Sequence, residues 1–218
     1  MRLKITIGIL FLLSYGLVFF LHTQTKNERI DFILNEKIKS LETHYDLTMD
    51  YFIQDVSATR KRISKDKKII ELFSKAQTAN SEEKTTLRKE LFNYLSPTYK
   101  IMQTKGILQL QFVFPDNRSF LRVHKPSKYG DDLTDTRYSF KHANKTKETV
   151  TGFEQGRTSH AFRYAFPFFD ENNNHLGAVE ISLSSYALQD KLLSVNKVHS
   201  HFLVNKEIFD AKAWESPQ

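Results

Sequence analysis

Hydrophobic positions change their spacing twice along this chain, and each change marks a new kind of element. Residues 5–21 carry no charge and are almost uniformly apolar. At about 1.5 Å per residue they make a helix of about 25 Å, the short end of a membrane crossing. From 25 to 63 apolar side chains such as Ile30, Leu34, Ile38, Leu41, Tyr45, Met49, Phe52 and Val56 recur every three or four positions, without proline or glycine. That period predicts one amphipathic helix of about 57 Å, a stalk continuing the membrane helix. Two shorter helices follow, one over 68–77 and one from a cap at Asn80 or Ser81 toward Gly106. Pro97 is expected to break or restart the second.

After Gly106 the period falls to two. Leu108, Leu110, Phe112 and Phe114 alternate with Gln109, Gln111 and Val113, and Pro115-Asp-Asn117 turns the chain into a second strand reaching His124. With a three-residue loop, Phe114 faces Arg118, Phe112 faces Phe120, Leu110 faces Arg122 and Leu108 faces His124. Paired residues share a sheet face, so Arg122 and His124 are expected over an apolar floor of Leu108, Leu110 and Phe112. Residues 134–148 read as a polar loop or short helix. Strands follow over 149–155, 160–169 and 178–184, then a helix over 185–193, a strand over 199–204 and a helix over 206–214. Helices first and an antiparallel meander afterwards define an α+β chain.

The basic leader, Arg2 and Lys4, precedes the apolar run, and no small-x-small cleavage site follows Leu21. An uncleaved signal anchor is expected, in a single-pass protein of the inner (cell) membrane with residues after about 22 in the periplasm. A cleaved signal peptide is the competing reading. The expected organisation is 1–24 as leader and membrane anchor, 25–197 as one domain with its long N-terminal helix, and 198–218 as the truncated start of a second module.

Composition narrows the chemistry. The 218 residues hold no cysteine, which removes disulfides, thiol nucleophiles and thiolate metal sites. A net charge of +7 raises the question of nucleic acid, but the basic residues are mixed with acids and form no Lys/Arg-rich arm, so no nucleic-acid partner is expected. There is no H-E-x-x-H, no P-loop and no nucleophile elbow, so no catalysis is expected. Asp131-Asp132 lacks further oxygen ligands for a cation, and His199 and His201 need a third ligand before they suggest a metal. Neither a metal nor another cofactor is expected.

What stands out is basic residues inside strand-like sequence, which are costly unless they meet a partner. Arg122, His124 and Arg163 are the preferred contacts for a small carboxylate or other anion, because guanidinium forks suit such oxygens. Arg137, Phe120, Asp132 and Tyr164 complete the candidate set. The bland alternative is that Asp131, Asp132 and Glu154 neutralise these arginines in a structural ion-pair network.

Several of these motifs, in this order, resemble one family. They are Arg118-Ser-Phe-Leu-Arg122-x-His124-x-Pro126, Gly130-Asp-Asp-Leu133-x3-Arg137, Gly152-Phe-Glu-x-Gly-Arg157, Arg163 with Pro167, and Gly177-x-x-Glu180. The chain resembles the Cache-type extracytoplasmic sensor domains of bacterial chemoreceptors, sensor histidine kinases and diguanylate cyclases, most of all the double-Cache kind. The resemblance implies a PAS-like antiparallel sheet, a long helix rising from the membrane and a small-molecule pocket on the sheet. Where family members often carry histidines before the hairpin, this chain has Gln111 and Val113, which speaks against a metal or haem site there. The function expected is ligand sensing in a transmembrane receptor, with the stalk supporting a homodimer. The alternative is a non-catalytic, membrane-tethered structural or partner-docking module, a receptor remnant.

Overall fold

The computed structural model describes residues 2–155, 160–197 and 199–203. Helix α1 (Arg2–Lys65) runs through the predicted anchor and stalk without a break. Helices α2 (Lys67–Thr78) and α3 (Ser81–Thr104) follow, then strands β1 (Ile107–Val113) and β2 (Ser119–Arg122), helix α4 (Tyr138–Thr146), strands β3 (Val150–Gln155), β4 (His160–Phe169) and β5 (His175–Ser184), and helix α5 (Ser185–Asn196). By contacts the chain divides into Met1–Leu47 and Thr48–Gln218.

In the first unit every side chain from 3 to 43 is exposed. Among the described residues one helix is long and apolar enough to cross a membrane, with a mean hydropathy of 2.1 over its most apolar window. Farther along the same helix the exposed apolar positions continue through Ile30, Leu34, Ile38 and Leu41.

In the second unit the end of α1 buries Phe52, Val56, Thr59 and Ile63, a stripe of three- and four-residue steps. Asp66 caps α2 by accepting from the amides of Lys68 and Ile69. Asn80 caps α3 in a reciprocal pair with Glu83. Helix α3 runs unbroken past Pro97, contrary to expectation. Its buried face, Leu91, Leu95, Tyr99 and Met102, is continuous past the proline, and that packing outweighs one missing backbone bond.

The five strands form one antiparallel sheet in the order β2-β1-β5-β4-β3. One face packs on helices. There Phe73 of α2 is fully buried and lies within 5.4–5.9 Å of the rings of Phe112, Phe114, Phe120 and Phe168. The other face is covered at one end by α4, where Phe140 and Ala143 meet Val113, Ala165 and Ala178. Strand β5 begins three residues earlier than expected, at His175. Residues 199–203 are not a strand, and the helix expected over 206–214 lies outside the described residues.

The hairpin register differs from the expected one. Phe114 does pair with Arg118 across the three-residue loop, its amide donating to the Arg118 carbonyl at 2.9 Å. Val113 then pairs with Ser119, but Phe112 pairs with Leu121 and Gln111 with Arg122. Phe120 is the extra residue of a β-bulge, and one extra residue moves all that follows to the opposite face. Arg122 therefore lies on the glutamine side of β1, and Leu110 and Phe112 are no floor beneath it.

Candidate functional site

Register places a second set of residues on the face that α4 covers at one end. Gln109 and Gln111 of β1, Glu180 and Ser182 of β5, Arg163 of β4 and Glu154 of β3 all project there, because Gln109 pairs with Ser182, Gln111 with Glu180, and Arg163 with Ser182. Gln109, Gln111, Arg163, Glu180 and Ser182 are buried. Such polar groups are tolerated in a sheet interior only when bonded to one another.

Arg163 is 1% exposed. Its Nη1 donates to Glu180 Oε1 at 2.8 Å and to Gln109 Oε1 at 2.8 Å, and its Nε donates to the Glu154 carbonyl at 3.1 Å. Arg137, in the turn before α4, donates from Nε to Glu154 Oε2 at 3.0 Å and from Nη2 to Glu180. Glu154 also accepts from the Ser139 hydroxyl at 2.7 Å. Burial pushes the Glu154 carboxyl up, but Arg137, Ser139 and Arg163 outweigh it and hold it below the usual carboxylate range. Burial and the neighbouring Arg137 lower the pKa of Arg163 to about 9, still a cation at neutral pH. Two buried arginines thus stand against two carboxylates.

Arg122 is bound differently. Its guanidinium forms a two-pronged pair with Asp131 at 2.7 and 2.9 Å and donates to the Lys128 carbonyl at 2.9 Å. Both partners belong to the loop between β2 and α4. That loop is stitched to the outer edge of β2, with the Gly130 amide on the Ser119 carbonyl at 2.7 Å and the Ser119 amide on the Asp131 carbonyl at 3.0 Å. His124 leaves the strand beside Leu110, its Nδ1 3.4 Å from the Leu110 carbonyl. Burial lowers its pKa to about 4 despite that carbonyl, and Arg122, Arg163 and Arg137 add to the effect. The imidazole is neutral at neutral pH.

Of the seven residues named from sequence, Arg122, His124, Arg137 and Arg163 come together on this face. Phe120 and Tyr164 lie on the helix-packed face: Phe120 contacts Phe73, and Tyr164 pairs with Ile181 next to Arg163 in the alternation. Asp132 is exposed and accepts from the Thr134 amide and hydroxyl. Arg118 is exposed beside Asp116, at 3.6 Å. Sequence reasoning gave Glu180, Gln109, Ser182 and Ser139 no role at the site. The in-phase pairs Gln109/Gln111 and Glu180/Ser182 were the available signal, since polar residues two apart in apolar strands share a face. Among the described residues no group of histidine and acidic side chains is placed to hold a metal ion. An open cleft of about 650 Å³ lies between α2 and α3, and none of the seven residues lines it.

A helix-backed antiparallel sheet whose other face carries a buried polar cluster is a PAS-like, Cache-type α+β fold. The chain belongs to the double-Cache family described as "Double sensory domain of two-component sensor kinase", whose model matches residues 54–214. No curated protein matches the chain in sequence. Among solved structures it is similar to the sensor domain of E. coli DcuS, with a TM-score of 0.51 at 14% identity over 67% of this chain and 98% of that one. It is also similar to the sensor domain of the V. cholerae histidine kinase DctB, with a TM-score of 0.47 at 16% identity over 70% of this chain and 58% of that one. The sensory domain of the Campylobacter jejuni chemoreceptor Tlp3 with isoleucine bound gives a TM-score of 0.41 at 15% identity over 71% and 63%. The chain thus spans nearly all of the first and about three-fifths of the other two.

Proposed function

We propose that the protein senses a small anionic molecule, a carboxylate above all, on the sheet face that bears Arg122, His124, Arg137 and Arg163. The observation that carries this reading is the asymmetry among the arginines. Arg137 and Arg163 are held by acids of the sheet itself, Glu154 and Glu180, whereas Arg122 is held by an acid of the loop beside β2. Asp131 is the most accessible carboxylate of the three, with a quarter of its side chain exposed. A ligand carboxylate would take its place on Arg122, exchanging one charge-assisted pair for another without leaving a buried cation bare. Neutral His124 would add a hydrogen bond and no charge. The displaced loop would carry the signal, relayed toward the membrane. On this reading residues 1–24 form the anchor, 25–197 the sensor on the periplasmic side of a single-pass inner-membrane protein, and 198–218 the start of a second module. The sensor does no chemistry, and the stalk pairs with a second copy.

The test is a thermal-shift screen of the protein against dicarboxylates and amino acids, followed by calorimetry on the best binder. Arg122→Ala is expected to weaken binding roughly 10- to 100-fold, the worth of a lost charge-assisted pair. Asp131→Asn removes the internal competitor and is expected to tighten it. Equal affinity in wild type and both variants would leave the arginines as a purely structural network.

A further inference from the structure

The loop along the outer edge of β2 is held from two sides. On the sheet face Arg122 takes the Lys128 carbonyl and the Asp131 carboxylate. From the helical layer Arg88 of α3 reaches across to β2. Its Nε donates to the Phe120 carbonyl at 2.7 Å, and its guanidinium lies 3.5 Å from the centre of the Tyr129 ring and 5.3 Å from that of Phe120. Phe120 is the bulge residue, without a ladder partner in β1. The bulge thus delivers a backbone carbonyl to Arg88, and it also turns Arg122 toward the loop acid. One turn earlier on α3, Lys84 lies over the Phe114 ring at 5.6 Å, so a row of cations on this helix follows the hairpin.

Residues 128–131 consequently give alternate side-chain and carbonyl contacts to opposite layers. Lys128 and Asp131 go to Arg122, and Tyr129 between them goes to Arg88. Tyr129 is 47% exposed, and the guanidinium is its anchor. A stacked cation–aromatic contact depends on a planar fork and falls off quickly with displacement. Any shift of the loop away from Arg122 drags the ring across Arg88.

We propose that Arg88 is the positioning residue that couples this loop to α3, so that release of Asp131 from Arg122 is felt in the helical layer. The inference deepens the sensing reading above and rests on it for the event that releases Asp131. The coupling itself is tested without a ligand. Amide hydrogen exchange is followed by mass spectrometry on the full chain in lipid nanodiscs. Arg88→Ala is expected to speed exchange across 128–131 roughly tenfold, from the loss of the cation stacked on Tyr129, while β5 keeps its protection. Tyr129→Ala should do the same, and Tyr129→Phe, which retains the ring, should not.

The decisive comparison is Arg122→Ala in two backgrounds. With Arg88 present, freeing the loop should speed exchange over residues 84–92 of α3. With Arg88→Ala it should add nothing there. The same α3 response in both backgrounds, or none in either, overturns the coupling. If Arg88→Ala does not fold, Arg88→Lys keeps the charge and stem without the planar fork and supplies the same comparison. Unchanged calorimetry for Arg122→Ala would remove the ligand reading and leave this exchange result standing, so the two failures are separable.

Discussion

His124 is the residue whose environment is most at odds with its chemistry. The unfolded chain protonates this imidazole below about pH 6.5, and the folded chain only near pH 4, because burial and three arginines oppose a further positive charge. The unfolded state binds more protons between those values, so folding weakens as pH falls through that window, by about 3 kcal/mol for this group. His124→Gln is expected to flatten the dependence between pH 6.5 and 4, measured as urea unfolding midpoints. Glu154 and Asp131 are held low by their arginines, and their contributions are lost only at more acid pH, as it falls below the ordinary carboxylate range. The cluster was partly legible in the sequence. Arg122 and His124 stand out because a strand seldom carries such residues two apart. Pairing Arg163 with Glu180 could not be read, since it depends on how β4 and β5 align, and Tyr164 looked as suitable as its neighbour until the pleat assigned the two to opposite faces.

At the scale of elements, period decided what could be foreseen. The long helix, the change from 3.6 to 2 at Gly106 and the α+β order all follow from spacing alone. The bulge at Phe120 does not, because an inserted residue leaves no mark in the apolar pattern of so short a strand, and it reversed the expected face of Arg122. Pro97 misled in the opposite direction, a local rule overruled by tertiary packing. The bulge has a structural companion in Gly177. Its φ of +134° suits glycine alone, and a Cβ there would lie 2.1 Å from the Val113 carbonyl. At Gly177 the backbone of β5 lies against that of Val113 and Phe114, beside the point where β1 loses register with β2. Gly177→Ala is expected to cost more than about 1 kcal/mol through strain and forced separation, seen as a lower urea midpoint. A midpoint equal to that of wild type would mean that the strands part freely at this position.

For the whole molecule, the first unit makes the simplest demand. A stripe of Ile30, Leu34, Ile38 and Leu41, with each side chain at least 39% exposed, has near-heptad spacing and suits pairing with a second copy. Ile38→Asp with Leu41→Asp is expected to abolish disulfide-free chemical crosslinking between copies in membranes while leaving the unfolding of the sheet unchanged. Crosslinking that persists in the double variant would place the contact elsewhere. The order of the sheet has a consequence for how the protein is made. Its middle strand, β5, is the last to be synthesised, and β1 waits beside an empty place until Leu110 can meet Ile181. Until then the emerged hairpin keeps one edge of β1 with unpaired backbone N–H and C=O groups, the kind of edge through which nascent chains pair with one another. Pauses in translation between Val113 and His175 would prolong that exposure, so yield in the cell should respond to the codons of this interval more than to those of the long first helix.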